Sequence, residues 1–283
     1  VLNIIHGLGT TTGQAIVEHP NIKAISFTGG TKTGVHIAKV AAPMFKKLSL
    51  ELGGKNPAII FSDCDYNEML QTTVRSSFAN QGQICLCGSR IFVEASIYQK
   101  FKTDFIAAVC KLKVGSPFNN NTDIGALVSK THLNKVKSYV DNAEQYGGKV
   151  VFGGNLVAVE SSENGYYLEP TIIEVNDNSC ILNQEEIFGP VVTIMPFNEE
   201  SEVLAMANDV SYGLSATLWT NDLKRTMRVS KQLDAGIVWV NTWLLRDLRT
   251  PFGGMKNSGV GREGGLEALR FFTEPKNICI KYN

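Results

Sequence analysis

The residues best suited to covalent chemistry in this chain lie around Cys85. A predicted helix over residues 66–79 ends in amide and glycine residues, Cys85 follows in the turn, and a β-prone run begins at Ile91. A thiol in a glycine-containing turn is open to a substrate, and the backbone N–H groups beside it can hold a developing oxyanion. This arrangement predicts a nucleophile, whereas a buried cysteine is most often an inert small hydrophobic residue.

A lone carboxylate, Glu51, precedes that cysteine by 34 positions and lies between Leu50 and Leu52, just before a Gly-Gly turn. On its own it would most often be a partly exposed side chain with satisfied hydrogen bonds. Burial between apolar neighbours would raise its pKa towards the range in which a carboxyl group works as a general base. Glu51 is therefore a candidate base.

Two glycine-rich turns, at residues 7–13 and 28–34, each lie between a strand signal and a helix signal. Glycine lets the backbone approach a phosphate closely, and the start of a helix offers N–H groups to it. Neither turn has the G-x-G-x-x-G spacing of dinucleotide-binding folds, so the residues alone leave a plain turn and a cofactor site equally open.

The elements that must position these residues alternate between strand and helix patterns, which predicts an α/β fold with parallel sheets and crossover helices. In such sheets ligands bind at the carboxyl ends of the strands, where both glycine turns and Glu51 would lie. Residues 157–165 are predicted to form a surface loop, and the tail over residues 271–282 has a strand-like alternation. The predicted strands lie at residues 1–5, 24–27, 47–52, 58–61, 91–93, near 150, 171–175, 216–219 and 236–240. The predicted helices lie at 14–19, from the end of the 28–34 turn to about 42, and at 66–79, 96–112, 130–146, 201–208 and 222–232.

Composition excludes several classes of function. The 283 residues carry no net charge, which argues against a nucleic-acid or anionic-membrane surface, and no apolar run approaches the roughly 20 residues of a membrane span. Six cysteines in a chain of this length fit a reducing compartment, so the cytoplasm is expected. Cys85 and Cys87 are too close together for a typical metal pair, and no metal site is predicted.

Four segments, at residues 51–55, 78–85, 185–190 and 251–263, occur together in this order. In this combination the chain resembles the NAD(P)-dependent aldehyde dehydrogenase superfamily. The resemblance implies a partial Rossmann-type cofactor domain plus a complete α/β catalytic domain. It places the end of the NAD-binding domain at residues 1–53, the catalytic domain at 54–257, and a segment that returns to the cofactor and oligomerisation region at 258–283.

The resemblance also assigns roles to single residues. It implies that Cys85 is the nucleophile, Glu51 the base that activates water, and NAD the cofactor. Glu186 would accept hydrogen bonds from the nicotinamide ribose and Phe188 would pack beside the ring. The other residues implied to bind the cofactor are Gly7, Gly9, Gly13, Gly29, Gly30, Gly34 and Leu52, although the family usually has Ser where this chain has Gly30.

Arg246 lies in a loop that borders the substrate tunnel in the family. An arginine there can bind a substrate carboxylate with two hydrogen bonds, whereas an exposed loop arginine is usually only solvated. The surrounding Trp-Leu-x-Arg-x-Leu pattern resembles the semialdehyde branch of the family, whose substrates include 2-aminomuconate semialdehyde and which is also described as retinal dehydrogenase-like. The expected substrate is therefore a semialdehyde that bears a carboxylate.

Three alternatives stay open at this point: oxidation of retinal or another apolar aldehyde, a CoA-acylating reaction, and a non-catalytic protein on the same fold. Glu51 argues against the second, and the combination of Glu51 with Cys85 argues against the third. Because the chain starts at Val1 without an initiator methionine, we expect it to be part of a longer protein, and the resemblance implies that this protein is a homo-oligomer, a dimer or a tetramer. The resemblance implies a further N-terminal part that supplies an oxyanion-binding asparagine, so this stretch alone is expected to be poorly active or inactive.

Overall fold

A computed structural model describes residues 2–160, 162 and 164–283 of the chain, which separates into two compact units. Unit 1 comprises Val1–Gly53 and Arg246–Asn283, and unit 2 comprises Gly54–Leu245. The end of the catalytic domain at residue 257 stays a prediction, and residues 246–257 are grouped with unit 1 in this structure. They belong to unit 1, because this stretch folds back on the residues that follow it, with Phe252 bridged to Glu263.

The strands and helices follow the predicted α/β alternation. In chain order the strands are β1 (Ala24–Thr28), β2 (Lys47–Glu51), β3 (Asn56–Ile60), β4 (Gly88–Glu94), β5 (Gly148–Phe152), β6 (Thr171–Val175), β7 (Val191–Phe197), β8 (Tyr212–Gly213), β9 (Ser215–Trp219), β10 (Ile237–Val240), β11 (Met255–Lys256) and β12 (Gly259–Val260). The helices are α1 (Gln14–Glu18), α2 (Thr31–Ala41), α3 (Tyr66–Phe78), α4 (Ala95–Val109), α5 (Lys130–Asp141), α6 (Ile181–Gln184), α7 (Glu200–Asn208), α8 (Leu223–Gln232) and α9 (Gly265–Phe271).

Side-chain caps set several helix starts. Asp65 accepts a hydrogen bond from the Glu68 N–H at the start of α3, and Ser129 and Asp222 do the same for the first turns of α5 and α8. Such caps satisfy N–H groups that have no partner within the helix. They explain why the predicted start of each of these helices lies within one residue of the start in the structure.

Unit 1 is built on a small sheet. Strands β1 and β2 pair in parallel, with α2 as the crossover between them, and β12 pairs antiparallel with β2. Its core consists of Val17, Ile25, Ile37, Ala41, Leu50 and Leu52. The second glycine turn follows the carboxyl end of β1 and Glu51 ends β2, so both lie at the sheet edge that the sequence predicts.

Unit 2 is built on a seven-stranded sheet in the order β10-β9-β3-β4-β7-β6-β5. All neighbouring pairs are parallel except β5 with β6. Every residue of β3 is buried, because helices cover both faces of a parallel sheet and its central strands carry continuous apolar runs. The predicted α/β class is confirmed.

The strand β7 is missing from the sequence-based prediction although it lies near the centre of this sheet. Its run is apolar except for Thr193, but it follows a Gly-Pro turn and contains Pro196, which cannot donate a hydrogen bond to a neighbour. Proline is tolerated because β6 pairs with β7 only as far as Ile194, so the ladder on that side has ended before Pro196. The Gly-Pro turn and Pro196 explain why the sequence analysis does not predict this strand.

Two predicted strands near the ends of the chain do not form. Val1 lies outside the described residues, and residues 2–5 are exposed and not in a strand. The tail over residues 271–282 is also exposed and has no strand; its first residue ends α9, which the sequence analysis missed. An alternating apolar pattern forms a stable strand only when a neighbour supplies its hydrogen bonds, and no described strand pairs with either segment.

One further region matches its prediction as far as it is described. Residues 157–160, 162, 164 and 165 form an irregular loop, and the rest of that predicted loop lies outside the described residues. No helix in the described part of the chain has the length and apolar character needed to cross a membrane.

Candidate active site

Cys85 occupies the second position of a tight turn at the amino end of β4. A 3₁₀ turn over Ala79–Gly82 follows α3, and the Cys87 N–H then donates to the Ile84 carbonyl over 2.9 Å, which closes the turn around Cys85. Cys85 is half-buried, so a small molecule can reach it. The structure thus places the predicted nucleophile at the corner of a constrained turn.

Cys87, the neighbouring thiol, has a different environment. It is only 6% exposed, and burial is the main cause that raises its pKa to about 12. Because the thiolate is the reactive form of cysteine, this thiol is a poor nucleophile near neutral pH. Burial likewise raises the pKa of Cys64 to about 11. The raised pKa values of Cys87 and Cys64 therefore favour Cys85 as the nucleophile.

The loop that carries Glu186 and Phe188 lies against the Cys85 turn. At Gly82 the backbone has a left-handed φ of 67°, and a Cβ added there would stand 2.1 Å from the Gly189 carbonyl oxygen. Real Cβ contacts are never this short, so only glycine allows the two loops to approach so closely. Gly82 therefore sets the spacing between the predicted nucleophile and the predicted cofactor loop.

We expect Gly82→Ala to destabilise the protein by about 2–5 kcal/mol, the sum of a left-handed alanine and an overpacked contact. Gly147→Ala is the matched control, since Gly147 has a φ of 81° but a Cβ there would meet nothing closer than 3.9 Å. The control should lose only about 1–2 kcal/mol. Urea unfolding of both full-length variants measures this difference, and equal losses would contradict the close approach at Gly189.

One cleft in unit 2 is lined by Cys85 together with the predicted cofactor residues. The Gly54 N–H donates to Glu186 Oε1 over 3.0 Å, which fixes the carboxylate against the start of β3. Burial is the main cause that raises the pKa of Glu186, while the Gly54 N–H and the charges of Lys135 and Lys55 oppose it. The residues that line this cleft are Gly54, Ser77, Gly82, Ile84, Cys85, Cys87, Gly88, Ser89, Glu186, Ile187, Phe188, Gly189, Val191 and Val192.

Phe188 is held in a conformation that non-glycine residues rarely adopt, with a φ of 60°. His132, on α5, lies 2.6 Å from the Phe188 carbonyl oxygen through its Nε2 atom, and the two rings meet edge to face at 6.0 Å. Because a carbonyl can only accept, this Nε2 carries the proton. A left-handed phenylalanine costs about 1–3 kcal/mol, and the contacts from His132 hold it in place.

Unit 1 carries the second predicted catalytic residue, Glu51, as the last residue of β2. Its backbone carbonyl accepts from the Gly29 N–H over 3.0 Å, and the next N–H, of Leu52, donates to the Ser258 carbonyl over 2.9 Å. The side chain is buried, and neither carboxylate oxygen has a hydrogen-bond partner among the described residues. The main chain of Glu51 is thus fixed while its carboxyl group is left for other chemistry.

Burial is the largest cause that raises the pKa of Glu51 to about 7. The nearby charge of Glu263 raises it further, whereas those of Arg262 and Arg246 lower it. A carboxyl group with a pKa near 7 is well matched to accept a proton at neutral pH. The pKa of Glu51 is therefore raised, in the direction that its apolar neighbours predict. The structure also brings three charged groups near Glu51 that the sequence analysis did not connect with it.

The second glycine turn leads directly into α2. Gly30 is the N-cap of this helix, so no side chain satisfies the first N–H groups there. The Thr31 hydroxyl is buried without a hydrogen-bond partner among the described residues. Such a helix start can bind an anion through its N–H groups. Gly34 lies one turn further on, where a Cβ would stand 2.5 Å from Leu52, so these two predicted residues are in contact.

The remaining predicted glycines lie close to this helix start or in the first turn. Gly29 precedes Gly30 and packs against the Phe27 ring, where a Cβ would stand 2.4 Å away. Gly9 and Gly13 bound a π-helical turn before α1 and line a groove between α1 and α2, and Gly7 packs against Thr12 just before it. In unit 1 the first glycine turn therefore lines the groove between α1 and α2, and the second glycine turn leads into α2.

Arg246 and Arg249 lie in the same exposed loop but differ in their partners. Arg249 donates to its neighbour Asp247 over 2.9 Å and forms an ion pair with it. The Arg246 guanidinium instead stacks over the Phe252 ring at 4.2 Å. A stacked guanidinium keeps its N–H groups in plane for a carboxylate, so Arg246 is the better suited of the two to bind an acidic substrate.

Sequence reasoning missed several residues that contact the site, and none of them belongs to a catalytic motif. They are His132, Asn56 and Trp243, which are far from Cys85 in the sequence. Asn56 directly follows the 51–55 segment, but an asparagine there gave no signal of its own. In the described part of the chain no group of three or more His, Cys, Asp or Glu side chains could hold a metal ion.

Comparison with known proteins agrees with this geometry. A sequence model described as the aldehyde dehydrogenase family matches residues 1–278. The chain is 53% identical over 285 residues to 2-aminomuconic semialdehyde dehydrogenase of Danio rerio and 51% identical over 286 residues to that of Homo sapiens. It is 46% identical over 283 residues to 2-aminomuconic 6-semialdehyde dehydrogenase of a Pseudomonas species. These alignments cover 99–100% of this chain but 58% of each relative.

Solved structures with the same fold are also similar. Betaine aldehyde dehydrogenase from Staphylococcus aureus, in complex with NAD+, superposes with a TM-score of 0.90 at 40% identity, over 93% of this chain and 52% of that one. An aldehyde dehydrogenase from Bacillus cereus superposes with a TM-score of 0.91 at 39% identity, over 95% of this chain and 54% of that one. The predicted fold is confirmed, and this chain spans about 58% of the length of the curated relatives it matches.

Proposed function

This chain belongs to the aldehyde dehydrogenase family, and on that premise we propose that it carries the catalytic residues of an enzyme that oxidises an aldehyde to a carboxylic acid with NAD. The observation that carries the proposal is the position of Cys85, half-buried at the corner of a turn in the cleft that Glu186 and Phe188 also line. Since the chain spans 58% of the length of its relatives, activity is to be tested in the full-length protein.

In the first half of the reaction the Cys85 thiolate forms a bond to the aldehyde carbon. The π electrons of the carbonyl move to its oxygen, and in this proposal the Cys85 N–H donates to that oxyanion. NAD, when bound, supplies the acceptor for the hydride that leaves this adduct. Loss of that hydride re-forms the C=O bond and leaves a thioester on Cys85.

The second half of the reaction uses the carboxylate of Glu51. Glu51 takes a proton from water as the water oxygen adds to the thioester carbon, and the C–S bond then breaks with its electron pair returning to sulfur. The acid leaves and the Cys85 thiolate is regenerated. The buried carboxylate with a pKa near 7 supports this role, because it accepts a proton at neutral pH.

The residues present fit a dinucleotide. Gly30 and the buried Thr31 hydroxyl at the start of α2 suit a phosphate, and Gly34 packed on Leu52 keeps that turn compact. Glu186 offers a buried carboxylate to ribose hydroxyls and Phe188 a ring beside the nicotinamide. The similar enzyme from Staphylococcus aureus was solved with NAD+, which supports the same cofactor here.

For the substrate we propose a semialdehyde that bears a carboxylate, such as 2-aminomuconate semialdehyde. The names of the similar proteins from Danio rerio, Homo sapiens and Pseudomonas support this choice. Within this chain the support is Arg246, whose guanidinium stacks on Phe252 instead of being paired with Asp247. The competing proposal is an apolar aldehyde such as retinal.

We expect Arg246→Ala to raise KM for an acidic semialdehyde by about 10- to 100-fold, the value of a charged hydrogen-bonded contact. KM for retinal should change less than about threefold, because no charge on that substrate is lost. Arg249→Ala is the matched control and should leave both constants near those of the wild type. Steady-state kinetics with both aldehydes decide this. Equal effects on the two substrates would remove the carboxylate-binding role.

We further propose that the full-length protein is a cytoplasmic homo-oligomer. The cysteines of the described chain form no disulfide, which fits a reducing compartment. Sedimentation analysis of the full-length protein and fluorescence imaging of a tagged copy test the two parts separately. A monomer would reject the first and a secreted product the second.

A further inference from the structure

Three consecutive backbone carbonyls of the Cys85 turn are held by side chains from distant parts of unit 2. Asn56 Nδ2 donates to the Cys85 carbonyl over 2.7 Å and to the Cys87 carbonyl over 2.9 Å. Trp243 Nε1 donates to the Leu86 carbonyl over 2.9 Å. The turn that carries the nucleophile is therefore fastened to two residues outside it, in addition to its own closing hydrogen bond.

The orientation of the Asn56 amide is determined by its third contact. Its Oδ1 accepts from the Ser215 N–H over 3.1 Å, so the other end of the amide must be the NH2 group that faces the turn. Asn56 is only 3% exposed, and all three contacts are made inside the protein. A buried amide with this many partners has little freedom to rotate.

The same short segment, residues 54–56, also contacts the cofactor side of the cleft. The Gly54 N–H donates to Glu186, and a Cβ at Gly54 would stand 2.7 Å from Asn56 Oδ1 and 3.0 Å from the Cys85 carbonyl oxygen. The Lys55 carbonyl accepts from Arg90 Nε over 2.9 Å, and Arg90 is fully buried. Residues 54–56 are thus held in place by hydrogen bonds, and they make hydrogen bonds to both the Cys85 turn and Glu186.

A peptide group is planar and trans, so its C=O and N–H point in opposite directions. Holding the Cys85 and Leu86 carbonyls on Asn56 and Trp243 therefore also sets where the N–H groups of the following residues point. The Cys87-to-Ile84 hydrogen bond sets the peptide group whose N–H belongs to Cys85 itself. Together these contacts fix the two peptide groups that flank Cys85, on which the direction of its side chain depends, and the peptide group that follows them.

We propose that Asn56 is a positioning residue that holds the Cys85 turn in its reactive geometry, with Trp243 as a second, weaker support. The proposal depends on the proposed function only in taking Cys85 as the nucleophile. Asn56 donates to backbone carbonyls of the turn, so its effect on the Cys85 side chain passes through the turn. Loss of its amide removes a buried donor from both carbonyls, and we expect the turn to reorient.

The test uses the full-length protein and the variants Asn56→Ala and Trp243→Phe. Alkylation of Cys85 by iodoacetamide, followed by mass spectrometry of the Cys85 peptide, measures thiol positioning without any aldehyde. We expect Asn56→Ala to slow this alkylation and to lower kcat by about 10- to 100-fold, the effect of a nucleophile displaced by about 1 Å. KM for NAD should change less than about twofold, since an unchanged KM with a lower kcat marks an effect on the reacting group.

Asn183→Ala is the matched control for a purely structural effect. Asn183 is also fully buried, and its amide bonds Asn178 and Thr193 without touching the Cys85 turn. It should lower the melting temperature while leaving Cys85 alkylation near the wild-type rate. If Asn183→Ala slows alkylation as much as Asn56→Ala does, the positioning role is wrong. It is also wrong if folded Asn56→Ala alkylates at the wild-type rate.

Trp243→Phe keeps the ring packing and removes only the donor to Leu86, so it reports on the turn even if Asn56→Ala does not fold. We expect it to slow alkylation by a smaller factor, about two- to tenfold for one neutral hydrogen bond. An unchanged rate in this variant would contradict the proposal. The alkylation rates test only the positioning role of Asn56. The proposed function is tested by a different result: it is wrong if Cys85→Ala still oxidises aldehyde, whatever the alkylation rates are.

Discussion

Cys85→Ala in the full-length protein should abolish aldehyde oxidation, with kcat lowered by about 10,000-fold or more, as for removal of a catalytic nucleophile in other enzymes. The physical reason is that no other side chain in the cleft can form the covalent adduct. Cys87 is the neighbouring sulfur, and burial raises its pKa to about 12, so it is protonated at neutral pH. Single-turnover assays with aldehyde and NAD measure the loss directly.

Two controls separate loss of chemistry from loss of structure. Cys87→Ala and Cys110→Ala remove one buried and one exposed thiol, and each should retain most of the activity. The Kd for NAD of Cys85→Ala, measured by fluorescence titration, should stay within about twofold of the wild-type value, because the residues proposed to bind NAD are unchanged in this variant. Substantial turnover by Cys85→Ala would reject Cys85 as the nucleophile and the proposed mechanism with it.

Glu51→Gln is expected to slow thioester hydrolysis by about 100- to 10,000-fold, the usual contribution of a general base. Formation of the first NADH should be nearly unaffected, since that half of the reaction does not require the carboxylate. A stopped-flow trace of this variant should therefore show a burst of NADH followed by a very slow steady state. A steady-state rate equal to that of the wild type would count against Glu51 as the base.

The pH dependence gives a second reading of the same residue. Burial raises the pKa of Glu51 to about 7, so its basic form is present above that pH and the deacylation rate of the wild type should rise with pH and level off above about 7. Glu51→Gln should lose this rise. Glu263→Gln is a useful comparison, because removing that neighbouring charge should lower the pKa of Glu51 and move the rise to lower pH.

The free energy of unfolding should fall as pH rises, whereas the deacylation rate should increase. A carboxyl group whose folded pKa is raised binds more protons in the folded state, so the folded protein loses stability relative to the unfolded chain as pH rises from the ordinary value of 4.5 to about 7. Above pH 7 the loss is complete. Melting temperatures of the wild type and Glu51→Gln should therefore agree best near pH 4.5 and differ most above pH 7, with the variant the more stable.

Much of the fold could be predicted from the sequence because local patterns determine most of its elements. Capped helices such as α3 and α8 and the strand β6 were located to within one residue, since caps and apolar runs act over a few positions. The strand β7 could not be predicted in this way, because it follows a Gly-Pro turn and contains Pro196, a residue that usually argues against a central strand. The predicted strand in residues 271–282 failed for the converse reason: its pattern is right, but no described neighbour pairs with it.

The candidate site was predicted less evenly. Cys85 and Glu51 could be singled out from their types, their neighbours and their spacing, which are written in the sequence itself. The contacts of Asn56 and Trp243 with the Cys85 turn could not, because Trp243 is joined to Leu86 across more than half of the chain, and the pattern that contains Trp243 indicates the substrate loop and not the Cys85 turn. The same holds for His132, whose contact with Phe188 exists only once α5 packs beside the loop.

The sequence by itself predicted the candidate reactive groups and most of the strands and helices, and it determined the family, because these depend on residue type and on spacing along the chain. Only the tertiary structure decided that the Cys85 turn lies at the amino end of β4, that residues 246–257 join unit 1, and that Glu51 is surrounded by Glu263, Arg262 and Arg246. Burial and charge act through space, and spatial neighbours are set by long-range packing that no local pattern records.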